Sequence, residues 1–213
     1  MMLFSSYLMD NHENRMPMIE AYTRPLYQFF LVDPIAKMIR HQCKPRDVTF
    51  AACLSGVLTL PTLLLGWPKL AILFLMISGY LDTLDGTLAR ISNQTSKSGT
   101  VLDIVSDRIV EFAVIFGLFA YDPSHRALLS FFMLGSCYLC ITSFLVVGIF
   151  SPNDTKNSFY YSPGIIERTE AFIFFIAMIA LPNYFYLLAS LFTILVLLTS
   201  FIRIKQFVQE PRL

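Results

Sequence analysis

The stretch AILFLMISGYLDTLDGTLAR, Ala71 to Arg90, joins two properties that seldom meet. Its first half is apolar enough for the core of a bilayer. Its second half carries Asp82, Asp85 and Arg90 without a break in the helical pattern. An isolated charge at membrane depth costs at least about 2.5–3.5 kcal/mol on insertion scales, so carboxylates kept there need a compensating partner. Asp82 and Asp85 are three residues apart and share one helix face. The short polar segment ISNQTSKS, Ile91 to Ser98, turns the chain back, and the next apolar segment carries Asp103 and Asp107, four apart and again on one face. Two helices joined this way bring both pairs together at one end of a hairpin.

The rest of the chain is the setting such a hairpin needs. Apolar residues make up 55% of the 213 and charged residues 15%, against roughly 25% in soluble domains; the mean hydropathy is +0.61. Disorder is excluded by the hydrophobicity, and a disulfide-stapled module by four cysteines in apolar contexts, Cys43, Cys53, Cys137 and Cys140. A net charge of +1 leaves no basic field for nucleic acid. The fold class is an all-α integral membrane protein. Six segments approach the length of about 20 apolar residues that a crossing needs: Val48–Trp67, Lys69–Arg90, Gly99–Tyr121, Ala127–Phe150, Gly164–Leu181 and Tyr184–Ile202. Breakers at Gly66-Trp67-Pro68, Asp122-Pro123, Ser151-Pro152, Ser162-Pro163-Gly164 and Pro182-Asn183 separate them. Ahead of them, Ile19 to Gln42 mixes Tyr22, Leu26, Phe29, Phe30, Leu31, Ile35 and Ile39 with Arg24, Lys37 and Arg40. It reads as an amphipathic helix in the membrane interface, interrupted at Pro34. The expected organisation is a tail at 1–18, the interfacial helix at 19–47, a six-helix transmembrane domain at 48–205 and a second tail at 206–213.

Lysine and arginine counts set the orientation. With six spans, fourteen basic residues, among them Arg46, Arg90, Lys97, Arg108, Lys156, Arg168, Arg203 and Lys205, fall on the side of the termini, and only Lys69 and Arg126 on the other. Both termini and the site are therefore expected in the cytoplasm, in a bacterial inner membrane or an equivalent one.

Four carboxylates around one point repel one another unless cations intervene. Hard divalent ions with oxygen ligands, Mg²⁺ or Mn²⁺, meet that need, and four carboxylates suit two ions, a common device for displacement at phosphorus. Gly86 permits close approach of a ligand or backbone, Arg90 can grip a phosphate, and Gly99 opens the third span where backbones are expected to cross. Arg168 and Arg203 frame an anion site for an acceptor, with positive-inside anchoring as the alternative for the basic residues there. Cys137 and Cys140 read as packing residues, because a zinc site needs two more ligands. Glu111 either supports the metals or pairs with Arg108. Thr49, at the start of the first span, is equally readable as a helix cap.

Written out, the hairpin is Asp82-x2-Asp85-Gly86-x2-Ala89-Arg90-x8-Gly99-x3-Asp103-x3-Asp107. All eight fixed positions resemble the signature of the CDP-alcohol phosphotransferases. The motif covers residues 82 to 107, and the likeness in span count and interfacial helix extends from about residue 19 to the end of the sixth span. The resemblance implies a six-helix membrane enzyme, typically a homodimer, that moves a phosphatidyl group from a CDP-linked lipid to the hydroxyl of a small polar alcohol and releases CMP. It implies Asp82, Asp85 and Asp103 as ligands of two divalent cations, and Asp107 as both ligand and general base. Gly86, Arg90, Gly99 and Thr49 would border the CDP-lipid. Two other readings of the carboxylates are a divalent-cation transporter and an intramembrane prenyltransferase. Transport needs polar groups along a path, and prenyltransferases carry two well-separated Asp motifs on longer chains.

A reporter fused after Leu213 and another placed within 93–98 are both expected to read cytoplasmic. A loop reporter on the opposite side from the tail would overturn the span count.

Overall fold

The computed structural model describes residues 27–151 and 165–209. Every regular element among them is helical. A π-helical stretch, Gln28–Val32, runs into α1, Asp33–Ile39. Then come α2, Pro45–Leu64; α3, Pro68–Ile91; α4, Lys97–Tyr121; α5, Pro123–Phe150; α6, Arg168–Ala180; a 3₁₀ turn, Pro182–Tyr184; and α7, Phe185–Gln209.

The prolines that separate the segments in the sequence also start the helices. Pro45, Pro68, Pro123 and Pro182 each stand at a first turn, where the missing N–H costs nothing and φ is already helical. The α4 helix starts at Ser96, whose hydroxyl accepts from Gly99 N at 3.1 Å. The reversal before it uses Asn93 at φ 54°, a conformation that asparagine tolerates. The α6 helix starts later than its apolar run, at Arg168, because Glu167 and Glu170 form a capping box.

Four helical segments are long and apolar enough to cross a membrane: Pro45–Leu64, Pro68–Ile91, Pro123–Phe150 and Pro182–Gln209. The other two expected spans form helices of a different character. The α4 helix carries Lys97, Asp103, Asp107, Arg108 and Glu111 in its first turns. The α6 helix has 13 residues, about 20 Å at 1.5 Å per residue, short of the roughly 30 Å hydrocarbon thickness. In the N-terminal region, the expected interruption at Pro34 is absent. The helix passes through it, because Pro34 falls in the first turn of α1, where no backbone donor is required. Residues 19–26 of the expected interfacial helix lie outside the described residues. In the described part, Val32 and Ala36 are buried against Leu84, Leu88 and Val48, while Phe29, Phe30, Leu31 and Met38 face outward.

The α2 helix packs on both α3 and α4, α5 packs on α7, and α6 lies against α3. Lipid is as apolar as leucine, so helix association inside a bilayer rests on close packing and interhelical polar contacts. The α2 seam has that composition: Ala52, Ser55, Gly56 and Thr59 are buried along it, and Ser55 Oγ donates to Phe74 O of α3 at 2.9 Å. A methyl group on Gly56 would overlap both branches of Val110 on α4 and the hydroxyl of Ser78 on α3. Gly117 is similarly pressed by Leu63 and Leu60. Gly99, expected at a crossing, meets only its own cap, Ser96 Oγ, within 4 Å; the tight crossings are at Gly56 and Gly117. On the far side, Phe175 of α6 and Phe192 of α7 pack with ring centres 5.3 Å apart and planes tilted by 42°, both buried.

Gly56→Val is expected to force the three-helix crossing apart and cost about 1–3 kcal/mol, the usual range for overpacking. Thermal unfolding of the purified protein in detergent checks this, with Gly135→Val, which meets nothing within 4 Å, as the control.

Candidate active site

The reversal after α3 sets the last turns of that helix beside the first turns of α4. Asp82 and Asp85 come from α3, and Asp103 and Asp107 from α4. Carboxylate oxygens of Asp82, Asp85 and Asp103 lie within 4.8 Å of one another. Asp107 joins them through Arg168, the first residue of α6. One guanidinium nitrogen of Arg168 pairs with Asp82 and stands 3.8 Å from Asp103, and the other pairs with Asp107 at 2.5 Å. Its plane sits near Phe172, 5.7 Å from that ring's centre. The expectation placed Arg168 at an acceptor site beside the metals; here it is inside the carboxylate cluster. The signal available in the sequence was ERTE itself: an arginine one residue past an N-cap glutamate, opening an apolar helix that leaves it no solvent-facing turn.

The donor set suits a hard divalent cation. It consists of carboxylate oxygens alone, and three of the four residues already converge. Asp85 is buried, and its Oδ2 has no hydrogen-bond partner. A buried anion left in that state is costly unless a positive ligand completes it. Among the described residues, this is the group of acidic, histidine and cysteine side chains close enough to share an ion.

The remaining expected residues take definite places. Thr49 stands beside Asp85, and its hydroxyl donates to Pro45 O at 3.1 Å; the N-cap of α2 is Lys44, so Thr49 is not a cap. Gly86 follows Asp85 and has only the Arg90 guanidinium near its open face, 3.6 Å from where a Cβ would stand. Arg90 is exposed and donates to Thr87 Oγ1 at 3.0 Å. Gln28 Nε2 donates to the same hydroxyl at 2.8 Å, so the N-terminal helix is tied to the arginine through one buried threonine. That link joins residues 59 apart and had no sequence signal. Arg46 donates to Ser98 Oγ, fastening the start of α2 to the start of α4. Glu111 pairs with Arg108 at 2.8 Å, and Arg108 also lies 3.9 Å from Asp107. Cys137 and Cys140 are free thiols packed on the core. Arg203 is buried against α5: it donates to Cys140 O at 3.1 Å and Ser143 Oγ at 3.3 Å and lies over the Phe144 ring. Lys156, named in the orientation count, lies outside the described residues.

The sequence pattern of the CDP-alcohol phosphatidyltransferases matches residues 44–204, and all four carboxylates lie within the first half of that match. The chain belongs to this family. A CDP-alcohol phosphatidyltransferase is a membrane-embedded transferase of phospholipid synthesis, which removes the transporter and prenyltransferase readings. The chain is 32% identical over 187 residues to the inner membrane protein YnjF of Escherichia coli strain K12, covering 80% of this chain and 90% of that one. It is 29% identical over 154 residues to the phosphatidylinositol phosphate synthase of Corynebacterium glutamicum, covering 67% of this chain and 66% of that protein. In fold it is similar to the Mycobacterium tuberculosis phosphatidylinositol phosphate synthase solved with CDP-DAG bound. There the TM-score is 0.72 at 20% identity, over 86% of this chain and 98% of that one. The same protein solved with manganese and citrate gives a TM-score of 0.72.

Arg168→Gln removes the cation that three carboxylates of this phosphatidyltransferase share. In metal-free buffer the variant is expected to lose about 1–3 kcal/mol of stability. That is less than the 3–5 kcal/mol of a fully buried pair, because the Arg168 side chain is 30% exposed. Thermal unfolding in EDTA checks it; an unchanged midpoint would mean that the ion pairs give no net stabilisation.

Proposed function

We propose that this chain transfers a phosphatidyl group from a CDP-linked lipid such as CDP-diacylglycerol to the hydroxyl of a small polar alcohol, with CMP as the leaving group. The convergence of Asp82, Asp85 and Asp103 around the buried, unpartnered Asp85 oxygen carries the reading. The solved relative with CDP-DAG and its form with manganese support it.

Asp82, Asp85, Asp103 and Asp107 would hold two divalent cations, Mg²⁺ or Mn²⁺, which when bound neutralise the diphosphate and the charge that develops on departing CMP. Gly86 leaves the helix surface open beside Asp85, so the diphosphate can approach the backbone closely. Arg90, steadied by Thr87 and Gln28, binds a phosphate oxygen. Thr49 and Gly99 border the nucleotide. Asp107 takes the proton from the acceptor hydroxyl as its oxygen attacks the β-phosphorus. Arg168, at the head of α6 beside Asp107, and Arg203, at the end of α7, are the candidates for binding the acceptor.

The membrane setting follows from the same reading. In this reading α4 and α6 count as the third and fifth of six spans within residues 48–205, the 13-residue α6 being the shortest of them. Both termini and the carboxylate end face the cytoplasm, where CDP-lipid and CMP are handled. The N-terminal helix lies in the interface in this reading, which the outward-facing Phe29 and Phe30 support. The enzyme works as a homodimer in a bacterial inner membrane or an equivalent one.

Asp107→Asn keeps a coordinating oxygen and loses basicity. Turnover, read as CMP release from CDP-diacylglycerol, is expected to fall by about 10²–10⁴-fold, the size of a general-base contribution, while calorimetric binding of the CDP-lipid persists. The wild type in the same assay is expected to stop in EDTA and resume with Mg²⁺ or Mn²⁺. Near-normal turnover by Asp107→Asn would overturn the base assignment, and full turnover in excess EDTA would overturn the use of metals.

A further inference from the structure

At the opposite end of the bundle, Arg126 is a charge that phosphatidyl transfer leaves unused. It sits in the first turn of α5 and is 5% exposed. Along α4, fourteen residues separate Asp107 from Tyr121 beside it, a rise of about 21 Å. Its Nη1 reaches Leu118 O at 3.4 Å, the long end of a hydrogen bond. Its guanidinium lies over two rings, 4.4 Å from the centre of Phe185 and 5.1 Å from that of Tyr121. Among the described residues no carboxylate comes within ion-pair distance: Asp122, one turn before it, is engaged by His125 at 2.9 Å.

A guanidinium offers five donors, and buried charges are normally paired. Arg126 has one long hydrogen bond and two aromatic faces, and it lines a cavity of about 190 Å³. The rest of the wall is apolar: Leu63, Leu118, Met178 and Ile179, with Tyr121 at the side. Pro68 also borders it, and the next residue is Lys69, the other basic side chain at this end of the bundle. A single buried cation in an apolar wall recognises one negative charge carried on an apolar body.

We propose that this cavity is a phosphate site: Arg126 binds a phosphate oxyanion, and the apolar wall takes the glycerol and first methylenes of the lipid that carries it. The phosphodiester of an acidic phospholipid supplies both parts, an oxyanion for the guanidinium and an apolar body for the wall. The site is separate from the carboxylate end and calls for no substrate of the transfer reaction.

Native mass spectrometry of the purified protein tests this, with dioleoylphosphatidylglycerol as the probe and EDTA present to keep the carboxylate site out of play. Wild type is expected to retain one phosphatidylglycerol that Arg126→Gln binds about tenfold more weakly or worse, the cost of losing charge-assisted hydrogen bonds. Arg126→Lys should retain part of the binding. Ala180→Leu, which narrows the cavity and keeps the guanidinium, should also lose it; this variant decides the matter if Arg126→Gln does not fold. Displacement by millimolar inorganic phosphate would show that the oxyanion suffices, and persistence would show that the lipid body contributes; either supports the site. Equal retention by wild type, Arg126→Gln and Ala180→Leu, or equal retention of dioleoylglycerol, which lacks a phosphate, would overturn it and leave Arg126 as an internal strut between α5 and α7.

Discussion

Four carboxylates are held where negative charge is expensive. Asp82, Asp85, Asp103 and Asp107 gather at one end of a bundle made otherwise of apolar helices, and within α3 and α4 Arg108, 3.9 Å from Asp107 and shared with Glu111, offsets that charge in part. The closer compensation comes from a third helix. Arg168 reaches the cluster because α6 begins where it does, and α6 begins there because two glutamates cap it. The short length of α6, the reversal at Asn93 and the close seam of α2 against α3 and α4 all serve to hold positive and negative groups at one depth. Like charges in a medium of low polarity repel strongly over these distances, so the geometry survives only while a cation, from the chain or from solution, stays among them.

This arrangement makes Arg168 and a divalent ion occupants of the same neighbourhood. The guanidinium fills the space among the acidic groups with a planar fork. Under the proposed function an ion would compete with Arg168 for the same oxygens.

Much of the site was legible from spacing. Asp82, Asp85, Asp103 and Asp107 are local repeats of three and four on two consecutive helices, and a short polar turn can bring them together in few ways. The helix starts were legible too, since prolines mark them. What the sequence did not show are contacts made across long separations. Gln28 meets Thr87, Thr199 meets Ile165 and Ile166, and Gly56 meets Val110; each depends on how whole helices are rotated about their axes, which hydrophobic runs with little periodicity do not reveal. The crossing was assigned to Gly99 because that glycine lies in the motif, whereas the steric demand falls at Gly56, outside it. The α6 boundary was set too early for a related reason: the apolar run continues upstream of the residues whose side chains close the helix end.

The two hydrogen bonds from Ile165 and Ile166 to Thr199 bear on how this enzyme can vary. They fix the chain to α7 immediately before Glu167 and Arg168, so the arginine takes its position from the helix that follows it in sequence. Loss of the Thr199 hydroxyl would therefore act on the carboxylate cluster from a distance, by freeing the start of α6 and with it the depth at which Arg168 meets Asp82 and Asp107.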